Sequence, residues 1–420
     1  MSLNPRIVKE SFALIEPHTE RASAYFYGRL FAESPRLRAL FPPAMDLQRD
    51  RLFRALTTVV WSLDSPDALA SYLSQLGRDH RKYGVFDEHY AAVGGALLAT
   101  IRKFLGDAWN AEVEEAWTAA YTAAAGMMTS AAHADAEISP PWWIAEVVDH
   151  ERRTPDVAVL TVRPGQPLPY TAGQHVTVQT SRWPRVWRPY SIANAPREDG
   201  LLRFHVRATP GGWVSGSLVR HTEVGHSVLL GPALGTMGLD PDSDRDILCV
   251  AGGTGLAPLK AIIEQVISMR QRRHIHLVVG ARTRRDLYDL DDLRLLESTY
   301  PWLRVIPVVS EEPDFEGVQG MVSEVLGRLR DWSDHDAYVA GPTGMIAETV
   351  SRLGRLGVPP DRVHHDALHA ELRRGCPHNP GYINAGPVEH SPAQPDPEPT
   401  GPVPAARHHR VSRPVRRPPA

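Results

Sequence analysis

Only two cysteines, Cys249 and Cys376, occur in the 420 residues, too few for a disulfide framework or a four-thiolate metal site. That scarcity predicts a reducing compartment. Lysine is nearly as rare, with Lys9, Lys82, Lys103 and Lys260 the only four among 46 basic residues. Because 49 acidic residues leave a formal charge of -3, the composition argues against a nucleic-acid partner or a membrane-surface binder. No apolar run reaches the roughly 18 residues of a membrane span, so no membrane insertion is expected. Met1-Ser2-Leu3-Asn4-Pro5 has neither the basic stretch nor the apolar core of a secretory signal, and the expectation is a cytoplasmic protein.

What is present divides the chain into stretches of different texture. From residue 4 to about 134 apolar residues recur at three and four spacing, Ala is abundant and Pro sits at starts and corners. This predicts helices over 4–16, 19–33, 48–63, 67–82, 87–105 and 109–133, an all-α domain over 1–136. After Pro140-Pro141 the pattern turns to short alternating runs such as Val157 to Val162 and His175 to Val178, with turn glycines at Gly165, Gly173 and Gly200. A small antiparallel β-barrel over 142–236 follows. Beyond Asp244, apolar strands over 246–251, 275–280, 303–309 and 337–341 alternate with helical segments, giving an α/β parallel-sheet domain over 244–370. The remaining 371–420 is rich in Pro and ends basic, with Arg413, Arg416 and Arg417. It is read as a disordered C-terminal tail.

The strand Asp246–Ala251 runs into Gly252-Gly253-Thr254-Gly255-Leu256-Ala257-Pro258, where small residues let backbone N–H groups and a helix N-terminus approach a pyrophosphate. A tight turn alone would account for such glycines. Arg188-Pro189-Tyr190-Ser191 opens a barrel strand, with Arg suited to a phosphate, Tyr to an isoalloxazine edge and Ser to a hydrogen bond. Their order across the change from barrel to parallel sheet resembles the ferredoxin-reductase-like superfamily over about 142–369. That resemblance implies FAD and NAD(P)H as cofactors. It also implies that Tyr170 to His175 is the strand leading to the flavin, with His175 as a cofactor contact where an aromatic ring commonly packs, and a pyrophosphate site at Gly211-Gly212-Trp213-Val214-Ser215. Gly341-Pro342-Thr343-Gly344-Met345 matches the late nicotinamide turn. Arg282, Arg284 and Arg285 could meet a 2′-phosphate or form a solvated loop, so NADH versus NADPH stays open.

In the segment 67–82, Leu69, Tyr72 or Leu73, and Leu76 form a stripe that His80 extends inward. A lone inward His is ordinarily a hydrogen-bonded core residue, but as an axial ligand it would need polar groups on the opposite wall. Tyr27 and Gln48 are suitable. Here residues 4 to about 134 resemble a bacterial globin, and the whole chain resembles a flavohaemoglobin. The resemblance implies haem b, with His80 as the proximal ligand and metal-binding residue and Tyr90 as its proximal companion. Tyr27 in Tyr25-Phe26-Tyr27-Gly28-Arg29-Leu30-Phe31, together with Gln48, would serve bound oxygen. Phe41 and Leu52 would pack on the haem.

The resemblance implies hydride transfer from NAD(P)H to FAD, single electrons to haem, and oxidation of nitric oxide to nitrate by oxygen, with both gases as substrates. Three positions depart from the family pattern. Ala132 stands where a proximal Glu is expected, Ala340 where Cys is common before Gly341, and Leu368 near the expected terminal aromatic. Asp79 stands where the family often has Lys. Two other readings therefore stay open: a divergent flavohaemoglobin reducing a quinone or another small acceptor, and a haem-based gas sensor whose tail recruits a partner. Oligomeric state is not expressed in the sequence.

Overall fold

The computed structural model describes residues 4–269 and 273–366; Leu368 and the tail expected over 371–420 lie outside them. Six α-helices come first: α1 (Pro5–Ile15), α2 (Thr19–Glu33), α3 (Asp46–Trp61), α4 (Pro66–Arg81), α5 (Asp87–Leu105) and α6 (Ala111–Ala136). Asn4 caps α1, its side chain accepting from the Ile7 N–H, and Pro5 fills a first-turn position that needs no donor. Asn110 caps α6 in the same way, accepting from Val113 at 3.0 Å. Val8, Phe12, Leu30, Leu73, Ala96, Ile101 and Trp117 form the core. The one polar tip among them is satisfied, because Trp117 Nε1 donates to Ser11 Oγ at 2.9 Å.

Helices α4 and α6 meet closely at Gly77, where a Cβ atom would run into the main chain of Met128. This contact sets the height of the last turn of α4, which carries His80. The same two helices are joined further on by Arg81 and Asp135, with the Arg81 guanidinium also donating to the Ser139 carbonyl at 2.7 Å.

The next strands are β1 (Trp143–Arg152), β2 (Val157–Pro164), β3 (His175–Thr180), β4 (Arg188–Ser191), β5 (Leu202–Arg207) and β6 (Ser227–Leu230), with α7 (Trp213–Arg220) between the last two. They form an antiparallel sheet in the order β4-β3-β6-β1-β2-β5. A bridge from Ile192 to Phe204 brings the two edges together, so the sheet nearly closes into a barrel. Inward residues such as Val147, Leu160, Val176, Phe204 and Leu230 fill it.

A second sheet contains β7 (Asp246–Gly252), β8 (Ile275–Ala281), β9 (Leu303–Val309), β10 (Val318–Gln319), β11 (His335–Ala340) and β12 (Val363–His364). All its pairings are parallel, in the order β10-β9-β8-β7-β11-β12. Helices α8 (Leu256–Met269), α9 (Leu290–Thr299), α10 (Val322–Leu329) and α11 (Thr343–Arg355) supply the crossovers. Strand order reverses between β7 and β11, and ligands of open parallel sheets bind at the carboxyl ends of strands at such a point.

Charged and neutral polar side chains tie the barrel to this sheet. Arg153 reaches Asp292 at 2.8 Å and buried Asp289 at 4.0 Å, Lys260 bonds Asp289 at 2.6 Å, and His205 Nδ1 is 2.7 Å from the Tyr288 hydroxyl. Buried ions need such partners, because an unpaired one would carry the whole cost of losing water.

Two expectations follow from the packing. Gly77→Ala should overpack the α4–α6 contact and cost about 1–3 kcal/mol, measured as a lower thermal midpoint; an unchanged midpoint would show that Met128 yields freely. On β8, burial and then the neighbouring Arg330 push His276 from its ordinary 6.5 down to about 4. The unfolded chain therefore binds a proton in that window that the folded chain does not, so stability falls as pH drops through it. His276→Gln should flatten the pH dependence of the midpoint below pH 6.5, and an unaltered slope would contradict this assignment.

Candidate functional site

His80 lies in the last turn of α4 with its Nδ1 2.7 Å from the Leu76 carbonyl. A carbonyl only accepts, so Nδ1 carries the hydrogen and Nε2 keeps a free lone pair. Among the described residues Nε2 has no hydrogen-bond partner. Burial lowers the pKa of the ring from its ordinary value, with the Leu76 bond and Asp79 opposing in part. A neutral imidazole with one oriented nitrogen is the form that ligates iron.

The residues expected on the opposite wall come from α2, α3 and the corner between them. Tyr27 is buried, and its hydroxyl donates to the main-chain carbonyl of Gln48 at 3.3 Å. Burial pushes the phenol up to about 12, while the Gln48 contact and then Arg49 and Arg51 oppose it. Tyr27 is thus a protonated donor at neutral pH. The expected pair Tyr27 and Gln48 is brought together, though it is the backbone of Gln48 that the hydroxyl meets. Phe41 lies edge-on to Tyr27 with ring centres 5.5 Å apart. Leu52, Leu76, Val93 and Leu98 are further half-buried apolar groups packed on the core. A haem fits this donor set: an apolar lining, one nitrogen ligand, and a buried hydroxyl from another helix.

Between α5 and α6, Tyr121 donates to the Tyr90 carbonyl at 2.5 Å. Burial pushes the Tyr90 phenol up to about 12. Ala132 lies on α6, whose nearby carboxylate, Asp135, is taken by Arg81. Asp79 pairs with Lys82 at 3.1 Å. His89 caps α5 by accepting from Phe86 N–H at 3.0 Å, His133 is exposed and pairs with Asp87, and His18 is exposed, in keeping with surface or packing roles.

In the barrel, antiparallel register sets His175 opposite Ser191 and Val176 opposite Tyr190. Among the described residues Arg188 Nη1 donates only to the adjoining Trp187 carbonyl, at 2.9 Å. Its pKa is lowered by burial first and then by Arg51 of α3. Arg188 thus feels a second cation and makes no ion pair among the described residues, an arrangement suited to an anion such as a diphosphate. Burial also raises the Tyr190 phenol. Gly212 precedes α7, and a Cβ there would strike Ser215 and Thr209 side chains, so this helix start is tightly built. Val214 and Ser215 are buried, with Ser215 Oγ bonded locally to Thr209 and the Gly212 carbonyl; they shape the helix start. His175 is buried beside Asp366, its Nδ1 3.7 Å from Oδ2.

Gly252–Pro258 and Gly341-Pro342 follow β7 and β11, the strands at the point of order reversal. Gly253 has φ +53, and a Cβ on Gly255 would meet the Ala340 main chain. The two turns therefore need small residues to stand side by side. Ala257 and Pro258 are buried in the first turn of α8 and act through shape. Gly253, Gly280, Asp286 and Tyr288 border a cleft at the end of β8. Arg282, Arg284 and Arg285 are exposed, whereas Asp286 accepts from Thr283 Oγ1 at 2.9 Å.

Two charged residues beside these sites leave no motif in the sequence: Arg51 and Asp366. Arg51 had a signal, since a residue three positions after Gln48 on a helix shares its face.

Comparison with known proteins matches residues 24–128 to the globin model, 145–237 to the oxidoreductase FAD-binding domain and 249–351 to the oxidoreductase NAD-binding domain. A flavohemoprotein of Bordetella pertussis is 29% identical over 397 residues, covering 86% of this chain and 96% of that protein. The ferredoxin–NAD(P)(+) reductase component of a naphthalene 1,2-dioxygenase system from Pseudomonas putida is 34% identical over 228 residues, 53% of this chain and 68% of that protein. The chain spans about two thirds of the length of the reductase components it matches. In structure, a flavohemoglobin of Malassezia yamatoensis with bound FAD and heme superposes with a TM-score of 0.69 at 20% identity, over 86% of this chain and 98% of that one. That likeness concerns the fold. No helix among the described residues is long and apolar enough to cross a membrane. A gas-binding globin domain, with haem as its cofactor, is thus followed by domains for FAD and a nicotinamide nucleotide, and the chain belongs to the flavohaemoglobin family of oxidoreductases.

Proposed function

We propose that this flavohaem oxidoreductase is an NAD(P)H-dependent nitric oxide dioxygenase. The observation that carries the reading is the pairing, in one domain, of a buried protonated Tyr27 hydroxyl with a His80 whose Nε2 alone is free, in a chain that also carries a reductase. When bound, NAD(P)H would supply hydride, and FAD and haem would supply the one-electron chemistry by which oxygen oxidises nitric oxide to nitrate.

The residues have separable tasks in this reading. His80 holds the iron through Nε2, and the Leu76 carbonyl keeps the ring in the ligating tautomer. Tyr27 turns its hydroxyl from the Gln48 carbonyl to a diatomic ligand, with the Gln48 side chain as a second donor. Phe41 and Leu52 exclude water from the apolar wall. Arg188, beside Arg51, holds the flavin diphosphate, Tyr190 packs on the ring system and Ser191 donates to it. Gly212 leaves room at the helix start. Gly252 to Gly255 and Gly341-Pro342 admit the nicotinamide nucleotide. The domain limits 1–136, 142–236 and 244–370 are part of the same proposal.

Ala132 favours a second reading. Without a carboxylate at that position the electron donation from His80 to iron is weaker, and the reductase half can serve a quinone or another small acceptor.

Purified chain loaded with haem and FAD should consume nitric oxide in the presence of oxygen and NAD(P)H and form nitrate. His80→Ala should abolish this, and Tyr27→Phe should reduce it by about 100-fold, on the order of one lost oxygen-binding donor. Absence of nitrate from fully loaded protein refutes the dioxygenase; acceptor reduction that survives His80→Ala establishes the second reading.

A further inference from the structure

Lysine is rare in this chain, yet one of its four lysines is buried at the junction of the globin and the barrel. Lys82 follows α4 two residues after His80, and its side chain is only 3% exposed. An ammonium so deep requires partners. Nζ is 3.1 Å from Asp79 Oδ1, and it lies 5.6 Å from the Tyr83 ring centre and 5.9 Å from that of Trp187, within reach of cation–π attraction.

Trp187 belongs to the barrel. It is buried and immediately precedes Arg188, the first residue of β4. The lysine stem also runs past Gly231, just after β6, where a Cβ would lie 3.7 Å from Lys82 Cδ. Beside it, Arg185 Nη1 donates to the Tyr83 carbonyl at 3.2 Å. Arg185 has φ +67 and its N–H is held by Gln179 Oε1 at 2.6 Å. A non-glycine residue in that region is uncommon and persists where its surroundings fix it. Residues 82 and 83 of one domain thus dock on residues 185 and 187 of the other. The haem-ligand helix ends on one side of this contact and the flavin strand begins on the other.

We propose that Lys82, seated on Trp187, is a positioning residue that fixes the His80 end of α4 against β4 and thereby sets the rate of flavin-to-haem electron transfer. The inference rests on the flavin-to-haem path proposed above. A single electron passes from reduced flavin to ferric iron, and Lys82 exchanges neither electron nor proton. Tunnelling weakens steeply with separation, so slackening this junction slows that step. Hydride transfer to flavin uses the parallel-sheet domain and does not cross the junction.

The test uses full-length protein loaded with haem and FAD, mixed anaerobically with whichever nicotinamide nucleotide reduces the wild type. Flavin and haem bands are followed separately. Lys82→Met and Trp187→Leu should each slow haem reduction by at least about tenfold while flavin reduction stays within about twofold. The double variant should be no slower than either single one, because both remove the same contact. Lys82→Arg, which retains charge and stacking, should restore most of the rate. Haem reduction within about twofold of wild type in Lys82→Met and Trp187→Leu, or a parallel fall in flavin reduction, overturns the proposal.

Hydrogen exchange supplies a readout independent of turnover: each single variant should expose segments 79–85 and 183–188 together. Exchange unchanged in both segments overturns the positioning role of Lys82 even if haem in the wild type stays ferric, a result that would itself refute the electron path.

Discussion

The hydrogen bond from His80 Nδ1 to the Leu76 carbonyl is the constraint on which the chemistry depends. It is made within one helical turn, so the helix itself selects the tautomer and aims Nε2 away from α4. Everything around it serves to hold that helix in place. Gly77 lets α6 approach, and Arg81 joins Asp135 on the same helix. On the other side Asp79 and Lys82 connect the end of α4 with the barrel. A ring turned by half a rotation would put a C–H where the Nε2 lone pair now points, however well the apolar wall were formed.

The second organising feature is where charge is left without a partner. Acids and bases where barrel and parallel sheet meet are matched, with buried Asp289 held by Lys260 and Arg153 reaching both Asp289 and half-exposed Asp292. Arg188 is different, being half-buried within range of the Arg51 charge and bonded, among the described residues, only to its neighbour's carbonyl. Matched charges hold modules together, whereas unmatched ones of like sign await an anion. This contrast separates structural ions from those suited to a cofactor within a single chain.

Much of the architecture was legible in the sequence because it follows from short periods and turn residues. The helical stripe through Leu69, Leu73 and Leu76 pointed His80 inward, and the glycines after Ala251 and Ala340 marked the ends of the two central strands. The helix limits moved by a few residues, most at α6, which continues to Ala136 through an Ala-rich stretch with no stop signal before it. Side-chain partnerships between distant segments left no such trace. Nothing in the spacing pairs Lys82 with Trp187, Arg51 with Arg188, or His175 with Asp366, since these depend on how domains meet. The Tyr27 hydroxyl was expected to work alongside the Gln48 side chain, but it meets the Gln48 main chain, a contact set by the entry into α3 and carried by no residue type.

The central claim is that the electron source and the electron sink are wired together within this chain. An anaerobic addition of NAD(P)H to protein carrying both haem and FAD tests it most directly, read as the absorption spectrum at equilibrium. The account predicts bleaching of the flavin bands together with complete conversion of haem from its ferric to its ferrous spectrum, without any added carrier. Bleached flavin beside haem that remains ferric would contradict it.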